Sequence, residues 1–103
     1  MAIDILVVKE DLKTVVTQVG SIEANQDFYQ LQRIARYMNL AFIATIDEAG
    51  DTIINQPQLY ILASEIMKLR ISREINHDLL NLLQAAIDAV KPYSCQYILF
   101  VGD

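Results

Sequence analysis

Between Ser72 and Lys91 the chain carries an amphipathic pattern that leaves few folds open. Ile75, Leu79, Leu82, Leu83, Ala86, Ile87 and Val90 recur at steps of three and four, which places them along one stripe of an α-helix. Arg73, Glu74, His77, Asp78, Asn81 and Asp88 fall mostly on the other side. Ser72 can cap the start, Glu74 suits the positive end of the helix dipole, and Lys91 suits the negative end. Pro92 has no N–H to continue the ladder, so a helix is expected over 72–91. One apolar stripe needs a surface to cover it, and the rest of the chain must supply that surface.

Ile3 to Val8 is short, apolar and β-branched, and reads as a strand. Leu12, Val15, Val16 and Val19 then show helical spacing, with Gly20 where a left-handed terminator is wanted; a helix is expected here, followed by a polar turn over 21–26. Asp27 opens a further amphipathic helix with Phe28, Leu31, Ile34, Ala35 and Met38 inward and Tyr29, Arg33 and Tyr37 on another face. Leu40 to Ile46 fits two descriptions. Phe42 and Ile46 extend the helical stripe, whereas β-branched content and the placement of Glu48 favour a strand turning at 47–51 into Thr52–Ile54. The strand is the expectation adopted. The string Ala41 to Gly50 resembles a strand–turn segment of flavin-binding split barrels, but the chain turns helical from Pro57 and lacks the strands that would complete such a barrel.

Asn55-Gln56-Pro57 is a helix start, with a capping residue followed by proline in the first turn. Leu59, Leu62, Ala63, Ile66 and Leu69 form one stripe of this helix, and Tyr60, Met67 and Ile71 a second; Gln58, Glu65 and Lys68 are the residues that want water. A helix apolar on two sides is either central to its domain or lends one side to another chain. The small size of the domain favours the central position. The short connection to the next helix implies a helical hairpin. Cys95 to Val101 is the last β-rich run. Isolated strands are not stable, so the first and last should pair in one sheet. The expected fold is α+β: a helix-rich single globular domain over 1–103, with four helices packed on a small sheet that includes the N- and C-terminal strands.

Hydrophobic residues make up 53% of the 103 and charged residues 20%, which supplies a core and argues against disorder. Thirteen acidic against eight basic side chains give a net charge of −5, a field that opposes nucleic-acid binding and attracts a basic partner. Cys95 is the sole cysteine, so no internal disulfide can form, which fits a reducing cytoplasm. No basic segment precedes an apolar run as in a signal peptide, and the run Leu40–Ile46 is far short of the ~20 residues that span a bilayer. Neither export nor a membrane partner is expected.

The search for chemistry returns little. His77 is the single histidine, and Asp78 beside it points elsewhere on a helix, so no triad results. A Cys95–His77 pair would need a third group to orient the base, and none is indicated. One Cys and one His are too few for zinc, and Asp47-Glu48-Ala49-Gly50-Asp51 lacks the further ligands of a calcium loop. No glycine-rich phosphate loop is present. No catalytic residue, metal or cofactor is therefore expected. Charge and size point instead to an acidic binding protein, not an enzyme, of the immunity or antitoxin kind, that fills the cationic cleft of a nuclease-like toxin. Asp47, Glu48 and Asp51 are the first candidate contact residues, Asp78 and Asp88 the second, with Tyr60 and Met67 as an apolar anchor. The alternative is a regulatory or scaffold subunit that forms a homodimer through the two-sided helix or an open sheet edge; a ligand-sensing pocket between sheet and helices ranks below both.

Overall fold

The computed structural model describes residues 2–102. Its elements run β1 (Ala2–Val8), β2 (Val15–Glu23), α1 (Gln26–Tyr37), α2 (Ala41–Ala44), β3 (Asp51–Ile54), α3 (Gln56–Leu69), α4 (His77–Ala89) and β4 (Tyr97–Val101). The strands form one antiparallel sheet in the order β2-β1-β4-β3. This is the α+β, helix-rich architecture expected from the sequence, with terminal strands β1 and β4 paired from Asp4–Val101 to Val8–Tyr97.

Side-chain alternation decides which face of the sheet is covered. Ile3, Ile5 and Val7 of β1, Ile22 of β2, Ile54 of β3 and Ile98 and Phe100 of β4 join one buried cluster with the inner residues of the helices, Phe28, Leu31, Leu62, Ile66, Leu80 and Leu83 among them. Asp4, Leu6, Asp51, Ile53 and Val101 alternate with these and point away from the helices.

The segment expected to be the first helix is strand β2. Its valines imitate helical spacing because β2 is bulged twice. Register passes from Ile5–Gly20 to Leu6–Gln18 and from Val7–Thr17 to Val8–Val15, which leaves Val19 and Val16 as extra residues. Each extra residue breaks the period of two, so the apolar pattern no longer alternates. Gly20 is no helix terminator, since none of the described glycines has positive φ. It makes room for α4: a Cβ there would stand 2.8 Å from Leu82 Cδ1. Half of the turn expected over 21–26 is the end of β2, and Asn25 caps α1 by accepting from the Asp27 and Phe28 amides.

The stretch 40–46 is a single helical turn, not a strand. One turn leaves its first N–H and last C=O groups short of intrahelical partners, although Thr45 N still donates to Ala41 O. Two buried side chains from neighbouring helices supply them. Glu65 of α3 accepts from Phe42 N at 3.1 Å and Ile43 N at 2.9 Å. Gln32 of α1 donates through Nε2 to Ile43 O at 3.2 Å and Ile46 O at 2.7 Å. Glu65, expected in water, is thus buried and fully employed. Only the second strand of the expected hairpin exists, as β3, and the likeness to a split barrel lapses with the first.

α3 begins as expected. Asn55 Oδ1 accepts from Gln58 N and the Gln58 side chain accepts from Asn55 N, a reciprocal cap with Pro57 in the first turn. Its second stripe is not central to the domain: Tyr60, Met67 and Ile71 are all exposed. α4 is shorter than the expected 72–91. Asn76, not Ser72, caps it by accepting from Asp78 N, while Ser72 Oγ accepts from Glu74 N in the preceding turn. The helix ends at Ala89, with Val90 extended, so Lys91 lies beyond it. α3 and α4 pack as the expected helical hairpin. Cys95, expected within the last strand, is exposed ahead of β4.

Candidate functional site

The turn from Asp47 to Asp51 is held from several directions. Asp47 Oδ1 accepts from Ala49 N at 2.8 Å, and Asp47 N donates to Thr52 Oγ1 at 3.1 Å. Gly102 N donates to Gly50 O at 2.8 Å, tying the turn to the end of β4. The fit there requires glycine: a Cβ on Gly102 would lie 2.5 Å from the carbonyl carbon and oxygen of Glu48. From α1, Tyr29 donates its hydroxyl to Glu48 Oε2 at 2.6 Å. That hydrogen bond raises the Tyr29 phenol above its ordinary pKa of 10.0, because the carboxylate acceptor favours the protonated phenol.

Sheet register adds carboxylates that sequence reasoning missed. Val101 of β4 lies between Asp4 of β1 and Asp51 of β3, so all three share a row and a face. At ~4.8 Å per strand step, Asp4 and Asp51 are roughly 10 Å apart. Glu23 of β2, opposite Ala2, lies on the next row of the same face. One end of the sheet therefore gathers Asp4, Glu23, Asp47, Glu48 and Asp51. The opposite end, past Val8, carries Lys9 and Lys13 with Glu10 and Asp11, and is balanced. Only the pairing of β1 with both β2 and β4 brings Asp4 and Glu23 to the acidic turn, and no local sequence signal encodes that part of the acidic end.

The remaining sequence candidates scatter. Asp78 sits in the first turn of α4, next to Asn76, whose Nδ2 donates to Asp27 Oδ2 at 3.1 Å. Asp88 is at the far end of that helix and accepts from Gln84 at 3.0 Å. Tyr60 and Met67 lie on the outward face of α3. Residues 52–55, about 13 Å of extended chain, separate the acidic turn from the start of α3, so these two side chains do not border it. His77 and Cys95 are both exposed, and the imidazole Nε2 lies 3.2 Å from Ser72 O. Among the described residues, no group of three or more His, Cys, Asp or Glu could hold a metal ion, and no helix is long and apolar enough to cross a membrane. A shallow groove of about 260 Å³ lies between α3 and the end of α4, bounded by Leu59, Tyr60, Ala63, Val90, Pro92 and Tyr93. Gln56 Nε2 braces its rim by donating to Ser94 O and Lys91 O.

Comparisons with protein-family models, with curated proteins and with solved structures found no match.

Proposed function

We propose that this chain is a small acidic binding protein that blocks a basic partner, an immunity-type inhibitor of a nuclease-like toxin, with the acidic end of the sheet as its contact surface. The observation that carries this reading is the fixed acidic turn: Tyr29 holds Glu48, the turn's own amide holds Asp47, and β4 holds the backbone. Carboxylates already fixed lose little freedom on binding, so more of their attraction is realised as affinity. They can occupy the positions that a nucleic-acid backbone takes in a cationic cleft. The net charge of −5 also steers a basic protein toward the complex. The exposed free thiol of Cys95 suits action in a reducing compartment, such as the cytoplasm.

The test is capture of a partner from a lysate of the native host on the immobilised chain, followed by mass spectrometry. A basic protein retained at low salt, released at high salt and lost with Glu48→Gln/Asp51→Asn is the expected result. Retention that is equal on the double variant and indifferent to salt would refute the proposal.

A further inference from the structure

The outward face of α3 is made for another protein surface. Pro57, Tyr60, Ile61, Ser64, Met67 and Lys68 are its exposed residues and Ile71 is exposed two residues past its end, where a solvent-facing helix ordinarily carries charge at most such positions. Here one charge, Lys68, stands among five apolar side chains and a serine. Tyr60 is 82% exposed, Met67 73%, Ile71 84% and Ile61 50%. Glu65, the one acid in this helix, turns inward to cap α2.

We infer that this face is the contact between two copies of the chain, with α3 packed antiparallel to α3 of the second copy. Residues 60, 64 and 67 of α3 step by four and three, the spacing of a seam along which two helices interlock, and Ile71 extends that apolar line in the turn just past the helix. The seam complements itself when one copy is reversed. Tyr60 then lies opposite the second copy's Ile71, and Met67 opposite the second copy's Ser64, a large side chain against a small one at both central positions. Ile71 meets Tyr60 beside the groove lined by Leu59, Ala63 and Pro92, which gives an exposed aliphatic group an apolar seat.

Charge and area both select a second copy as the occupant. Each copy carries −5, but the face exposes no carboxylate, so two copies meet there without opposing acids. A basic partner gains nothing from a surface whose only charge is a lysine. The exposed area of Tyr60, Ile61, Met67 and Ile71 is on the order of 600 Å², large for one patch on a monomer and most of the ~800 Å² per partner of a standard interface. The contact is independent of the acidic end, so a dimer can present two such ends.

Sedimentation velocity on the full chain over a range of concentrations tests the inference. The wild-type chain should sediment at twice its 11.7 kDa mass, and Met67→Glu should shift it to the monomer while its circular dichroism spectrum is unchanged. In a Cys95→Ser background, Ser64→Cys/Met67→Cys should form an interchain disulfide on mild oxidation. A wild-type chain that stays monomeric throughout overturns the inference, as does a Met67→Glu variant that remains a dimer.

Discussion

At the scale of single residues, polar side chains shape this protein mostly by satisfying backbone groups that no ladder reaches. Asp11 shows it where β1 turns into β2. Its carboxylate accepts from Thr14 Oγ1 at 2.6 Å, Thr14 N at 2.8 Å and Lys13 N at 2.9 Å. These bonds, led by the Thr14 hydroxyl, favour the ionised form and bring the Asp11 pKa down from 3.8 to about 2. A pKa depressed by folding contributes stability that is present above the ordinary carboxylate value and is lost as pH falls from 3.8 toward about 2. The turn should therefore stay ordered at mildly acidic pH and loosen only in strong acid. Thr14→Val removes the hydroxyl and keeps the backbone donor. Its Asp11 resonance, followed by NMR, should titrate closer to 3.8 than in the wild-type chain.

At the scale of elements, legibility in the sequence tracked how much of each element is decided locally. α3 was readable because Asn55, Gln58 and Pro57 are adjacent and cap it by themselves. α1 was readable from its own stripe of Phe28, Leu31, Ile34, Ala35 and Met38, although the cap is Asn25, within the segment expected as a turn, and the left-handed Asn39 that follows its end gave no signal. β2 and α2 were not, because their determinants lie elsewhere in the chain. The pairing of β2 with β1 forces the bulges that disguise it, and α2 exists because Glu65 and Gln32 reach its two ends from α3 and α1. The acidic end was half legible: Asp47, Glu48 and Asp51 are contiguous, whereas Asp4 and Glu23 join them only through register. The dependence of α2 on Glu65 can be measured. Glu65→Gln keeps the shape but turns an amide donor toward one of the N–H groups that the carboxylate accepts. It should cost about 2–3 kcal/mol in urea unfolding, and the amide protons of Phe42 and Ile43 should exchange faster with solvent.

At the scale of the whole molecule, the distribution of charge sets stability against the recruitment proposed for the acidic end. Neighbouring carboxylates repel in the folded state and gain nothing for the fold unless each is hydrogen-bonded. Asp4, Asp47 and Glu48 are: they accept from Ser21 Oγ, Ala49 N and Tyr29 Oη. The carboxylates of Glu23 and Asp51 make no hydrogen bond among the described residues, so no bond of the fold depends on them. Glu23→Gln/Asp51→Asn should leave the melting temperature unchanged or raise it, by no more than about 0.5 kcal/mol in stability for each exposed site. The same variant should associate more slowly with a basic partner, and the difference should vanish in high salt as the field is screened. Thermal unfolding and stopped-flow association at two ionic strengths check the pair of effects together. A lower melting temperature would mean that these two carboxylates serve the fold and are not held in reserve for a partner.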